Sequence, residues 1–158
     1  MVVLISCDKK DDPVPEVSIV GKWEVTDATV KLLVNETPLK DYLVAHGSST
    51  QEAQQSFDEI AGPVDPADVF KGTVYEFKED GKLAVTSDAG VDTGTWALSD
   101  DKKRLLVTYD ADPPGTVYLP QTILTLANTE LKLDVDLGQT TSEEIPVHYF
   151  ITMMYKRL

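Results

Sequence analysis

From Thr73 onward the chain alternates apolar and polar residues with a period of two. Tyr75 and Phe77 alternate with Glu76 and Lys78, Glu79-Asp80-Gly81 supplies a turn, and Leu83 and Val85 alternate with Lys82, Ala84 and Thr86. Such alternation, interrupted by Asp- and Gly-containing turns, predicts antiparallel hairpins that bury one face. A second hairpin leads from Gly94, Trp96 and Leu98 through Asp100-Asp101-Lys102-Lys103 to Leu105, Val107 and Tyr109. After Pro113-Pro114-Gly115 a strand is expected over roughly 117–127, with Pro120 implying an edge position or a bulge. Leu131, Leu133, Val135 and Leu137 mark the clearest amphipathic strand, a polar loop is expected over 138–145, and Tyr149, Ile151, Met153 and Tyr155 share one face of the last strand.

The first part of the chain has a different texture. Trp23 to Leu32 is rich in β-branched residues and reads as a strand. Pro38 to Val44 then places apolar groups at helical spacing and stops at Gly47. Ser49 followed by Glu52 has capping-box spacing and opens a second helix, which puts Ala53, Phe57 and Ile60 on one face and ends at Gly62-Pro63. Asp65 can cap one further short turn. Helices are thus confined to residues 38–70, and eight strands remain, seven of them consecutive with short connections. That order has no place for parallel crossovers. The expected fold class is mainly β: an eight-stranded antiparallel up-and-down barrel with a short helical insertion after the first strand.

Upstream, the apolar run Val2-Val3-Leu4-Ile5-Ser6-Cys7 gives way at once to Asp8-Lys9-Lys10-Asp11-Asp12-Pro13. Leu4-Ile5-Ser6-Cys7 resembles the lipobox that ends a bacterial lipoprotein signal peptide, in which the cysteine becomes the lipid attachment site. Fewer residues precede Cys7 than an export signal needs, so residues 1–6 are read as the remnant of a longer signal. Residues 7–18 are read as the lipidated N-terminus and a tether, and residues 19–158 as the barrel domain. Lys10-Asp11-Asp12 resembles the acidic export signal of surface lipoproteins in the Bacteroides group. These resemblances imply an outer membrane lipoprotein on the periplasmic or cell-surface side, touching the membrane only through its lipid.

Gly21-Lys22-Trp23 ahead of an eight-strand meander resembles the Gly-x-Trp signature of the lipocalin-like superfamily. Tyr75-Glu76-Phe77-Lys78-Glu79-Asp80-Gly81 and Gly94-Thr95-Trp96-Ala97-Leu98 resemble phrases of lipocalin-like lipoproteins of the Bacteroides group. The resemblance covers residues 19–158 and implies that Gly21, Trp23 and Arg157 close one barrel end, with Arg157 over the Trp23 ring. It also implies a small hydrophobic or amphipathic ligand. The helical insertion departs from that family, and it could cover an open barrel end or fill it.

The formal net charge of −13 and the scattering of carboxylates along the chain argue against nucleic acid as a partner. With one cysteine there is neither an internal disulfide nor a multi-cysteine metal site. His46 and His148 have no metal-binding spacing, no nucleophile motif is present, and no cofactor, metal or catalytic residue is assigned. Asp134 and Asp136 are expected on the solvated face of their strand, with Asp100, Asp101, Asp110 and Asp112 in turns; Asp88 and Asp92 form a weak calcium candidate. The inward aromatics Trp23, Tyr75, Phe77, Trp96, Tyr109, Tyr149 and Tyr155 serve either as pocket lining or as core, with Tyr42 and Phe57 expected at the mouth. Two readings stay open: a binding barrel, or a filled barrel that engages a protein or glycan through its surface.

Overall fold

The computed structural model describes residues 17–110, 120–142 and 144–158. Cys7 and most of the expected tether lie outside the described residues, as do residues 117–119 of the strand expected over 117–127. In chain order the elements are β1 (Gly21–Val34), β2 (Thr37–Pro38), α1 (Leu39–Ala45), α2 (Thr50–Ala61) and α3 (Pro66–Phe70), followed by seven strands. These are β3 (Val74–Phe77), β4 (Lys82–Ser87), β5 (Gly90–Leu98), β6 (Arg104–Tyr109), β7 (Gln121–Leu126), β8 (Glu130–Ser142) and, after the turn, a long final strand β9 (Ile145–Arg157). Consecutive long strands pair antiparallel, and β9 pairs back on β1. The sheet therefore closes into an eight-stranded barrel with the helices inserted after its first strand, and two-residue β2 adds only to the far end of β1.

The alternation accounts for most of this, and bulges account for where it slips. On β1 the buried positions are Trp23 and Val25, then Ala28, Leu32 and Val34. The register against β9 shifts between Val25 and Asp27, so one extra residue moves the core face from odd to even positions. The Asp27 carboxylate accepts from the Ala28 N–H at 2.9 Å and the Thr26 hydroxyl donates to the Met154 carbonyl at 3.2 Å, which satisfies groups at the irregularity. Similar shifts occur on β7 between Ile123 and Thr125 and on β8 between Asp136 and Gly138. The β7 shift turns Leu124 out to solvent, and Leu137, expected on the core face, is left 46% exposed at the barrel rim.

Strand lengths set the shape. The β1–β3 pairing spans only Gly21 to Glu24, whereas β1 follows β9 as far as Leu33, opposite His148. The expected polar loop over 138–145 is instead a continuation of the β8–β9 hairpin, paired out to Ser142 and Ile145. Pairing holds there because Thr140 and Thr141 are β-formers despite their polarity. The upper parts of β1, β8 and β9 thus overrun the other strands, and Leu32, Val34, Val147 and Tyr149 pack against Leu39, Tyr42, Leu43, Phe57 and Ile60 of α1 and α2. The Ser49–Glu52 capping box forms as its spacing predicts. At the exit of α3 the Gly72 N–H donates to the Val25 carbonyl and the Val25 N–H to the Thr73 carbonyl, both at 2.9 Å, which fixes Phe70 where β1 leaves β3.

One carboxylate departs from its expected setting. Asp134 points outward, as its position predicts, yet it is 5% exposed. Its neighbours bury it: Lys31 reaches across β9, passing 4.9 Å from the centre of the Phe150 ring, and pairs with Asp134, whose other oxygen accepts from the Thr152 hydroxyl at 2.5 Å. This is a latch over the outer face of β1, β9 and β8, not a solvated surface charge.

Gly94, at a buried position of β5, is required by close approach. A Cβ there would lie 2.1 Å from the Thr108 carbonyl oxygen on β6. Because the obstacle is paired backbone, no side-chain rotation relieves it. Gly94→Ala is expected to destabilise the barrel by about 1–3 kcal/mol or more; chemical denaturation curves that superimpose on those of the parent would contradict this account of the β5–β6 contact.

Candidate functional site: one sealed end and one open end

The end of the barrel near Trp23 is sealed. Trp23 is fully buried, and its indole N–H donates to the Ile19 carbonyl at 2.7 Å. The Arg157 guanidinium lies 4.7 Å from the Trp23 ring, and its Nη2 donates to the carbonyls of Ser18 and, at 3.1 Å, Val20. Gly21 lies beside that guanidinium with a φ of 135°, a conformation that residues with side chains rarely adopt. A cation over an indole face contributes about 0.5–2 kcal/mol. The carbonyl contacts tie the segment ahead of β1 to the end of β9, so both ends of the described barrel meet at one arginine.

Above this cap the interior is filled by Val25, Phe77, Leu83, Leu105, Val107, Leu131, Leu133 and Tyr155, all buried. Phe77 meets Trp96 edge to face at 5.6 Å and Tyr75 meets Tyr155 in the same way at 5.5 Å. Vacating a packed site of this kind costs about 2–5 kcal/mol per large side chain, so a ligand entering here would first have to offset that loss. The lower barrel is core.

The opposite end is not filled. A cavity of about 240 Å³ opens there between Phe70 of α3, Tyr75 of β3, Tyr109 of β6 and Gln121 of β7. Its remaining described walls are Val135 and Leu137 of β8 with Ile151 and Met153 of β9. A wider depression of about 430 Å³ shares Phe70, Tyr75 and Tyr109 with it and extends past Val69, Thr73 and Val85 to Asp92. The β6–β7 seam at this level is short, with two residue pairs, Arg104–Thr122 and Leu105–Gln121.

Two phenols, Tyr75 in the cavity wall and Tyr155 in the core beside it, are shifted upward in pKa. Burial pushes the Tyr75 pKa up; hydrogen bonding with Tyr109 opposes this, and the Asp92 charge adds to it. Burial raises Tyr155 well above the ordinary phenol range, with Tyr75 and Tyr109 adding to the effect. Both hydroxyls therefore stay protonated at neutral pH. The Tyr155 hydroxyl donates to the Met153 sulfur, at 3.6 Å.

Of the residues expected to line a pocket, Tyr75 and Tyr109 do. Phe77 and Trp96 lie toward the sealed end, where the Trp96 indole N–H donates to the Lys78 carbonyl at 3.0 Å. Tyr42, Phe57 and Tyr149 do not reach the mouth: they pack between the helices and the overrunning strands, with the Tyr149 hydroxyl donating to the Ala61 carbonyl at 3.1 Å. The reason is the length of β1, β8 and β9, which gives α1 and α2 a surface of their own and leaves the mouth to α3. Sequence reasoning overlooked Phe70 and Gln121. Phe70 had a signal, an apolar pair Val69-Phe70 closing the insertion; Gln121 had one too, a polar residue in phase with Ile123. His46 stacks on Tyr42 at 4.1 Å and His148 packs edge-on to Phe150. Among the described residues no third carboxylate or imidazole joins Asp88 and Asp92.

What this geometry defines is a small antiparallel barrel with one sealed and one open end. No protein-family model matches the chain, and no curated protein matches it. Among solved structures it is similar to a DUF4847 family protein from Bacteroides vulgatus, with a TM-score of 0.40 and 17% identity over 84% of this chain and 91% of that one.

If Trp23 and Arg157 form the seal, Trp23→Ala should cost about 3–5 kcal/mol, and Arg157→Met about 1–2 kcal/mol by loss of the cation and its carbonyl contacts. Urea unfolding measures both. A Trp23→Ala protein as stable as the parent would show that the barrel closes by other means.

Proposed function

We propose that this protein is a cell-envelope lipoprotein whose lipocalin-like barrel binds a small hydrophobic or amphipathic molecule at its open end. The observation that carries the reading is the cavity beneath Phe70: concave, apolar on most sides and furnished with a few convergent polar groups, as small-molecule sites are. The position of Cys7 between an apolar run and a charged tether supports anchorage there, at the outer membrane on its periplasmic or surface side. A net charge of −13 disfavours nucleic acid and anionic lipid surfaces, and the reading involves no catalysis, cofactor or metal.

A second reading, a structural or interaction lipoprotein that engages a protein or glycan, draws on the exposure of Val44, Val64 and Val69 in the helical insertion. These are separate side chains on different elements, and scattered exposed valines are ordinary on a soluble surface. The cavity is the more specific feature.

The test is binding of a neutral apolar fluorophore, N-phenylnaphthylamine, to the purified protein and to an Ile151→Phe variant that projects a ring into the cavity. Binding to the parent, weakened about tenfold or more in a variant that still unfolds cooperatively, is expected. Equal binding to both would place the fluorophore elsewhere. Export behind a complete signal should leave the Cys7→Ser protein unlipidated and in the soluble fraction.

A further inference from the structure

The polar furniture of the cavity bears on what kind of molecule it takes. Gln121 is the first residue of β7 and shares the inward face with Ile123. It is 8% exposed, lines the cavity, and its side-chain amide has no hydrogen-bond partner among the described residues. A primary amide offers two donors and an acceptor. This one lines the open space, so a molecule entering that space can pair with it.

The charges around it narrow the choice. Among the described residues no Lys, Arg or His lines the cavity or the adjoining depression, and the one charged residue there is the carboxylate of Asp92. A ligand carboxylate or phosphate would shed its water without meeting a cation, an expensive transfer. It would also present only acceptors to Gln121, leaving the amide oxygen without a donor. An alcohol or an amide answers both sides of the Gln121 group.

Size narrows it further. An apolar cavity of roughly 150 Å³ accepts benzene, whereas drug-sized sites occupy roughly 300–1,000 Å³. At about 240 Å³ this cavity falls between them. Building on the binding function proposed above, we infer that the barrel selects an uncharged molecule on the order of ten heavy atoms, an apolar body with one alcohol- or amide-like group paired to Gln121. Carboxylates of the same length are rejected. Selection comes from one amide and from the absence of a lining cation among the described residues.

Competition between octanol and octanoate for bound N-phenylnaphthylamine at neutral pH tests this. Octanol should compete at a concentration at least about tenfold lower than octanoate. In Gln121→Leu, octanol should lose about tenfold more affinity than the fluorophore does. Should that variant fail to fold, Gln121→Met reads the same ratio with the side-chain length kept. Octanoate binding as well as octanol, or octanol binding unchanged by loss of the amide, would overturn the inference and leave the binding function standing. If the fluorophore, octanol and octanoate all failed to bind, the binding function itself would be contradicted.

Discussion

The fold depends on the pairing of β1 with β9, anchored where Trp23 lies opposite Arg157. Of the other neighbouring strands, β1 and β3 are joined through the helical insertion and the rest by turns or loops; β1 and β9 are separated by nearly the whole domain, so their contact bears the largest chain-closure cost. Cation, indole and backbone carbonyls converge at that point. Once it forms, the sheet has no edge along those strands. The same contact determines the polarity of the molecule: with one end stopped by Trp23 and the space above it packed with core residues, any interior room lies at the far end.

What stands at the far end follows from strand length. β1, β8 and β9 continue past the others, held on their outer face by the Lys31–Asp134–Thr152 latch and on the inner face by the apolar sides of α1 and α2. Those helices are thereby occupied, and only the short α3 meets the barrel opening. Phe70 lines a cavity whose described walls are mostly apolar and include the Gln121 amide. The barrel is a plug below and a container above.

Much of this was legible in the sequence. Period-two alternation from Thr73 onward, the hairpin turns, the capping box at Ser49 and the common parity of Tyr149, Ile151, Met153, Tyr155 and Arg157 all concern neighbours along the chain, where spacing alone decides which face a residue takes. The bulges at Thr26, Leu124 and Leu137 were not legible, because a one-residue slip depends on the partner strand. Asp134 illustrates the same gap: its outward direction followed from alternation, but its burial came from Lys31 two strands away. The site was the least legible part. Tyr75 and Tyr109 reach the cavity because they sit on inward positions of short strands at the open end, whereas Tyr42 and Phe57, equally aromatic, are claimed by a second core that exists only because three strands overrun the rest.

The central claim, a barrel sealed at Trp23 and open beneath Phe70, is tested most directly by proton NMR of the protein titrated with octanol. The Met153 methyl lines the cavity, and the Trp23 indole N–H is locked to the Ile19 carbonyl at the other end. The account predicts that the Met153 methyl resonance moves in a saturable way while the Trp23 indole resonance stays in place. Movement of the Trp23 resonance with Met153 unaffected would mean that the ligand enters from the end described here as closed, and would contradict it.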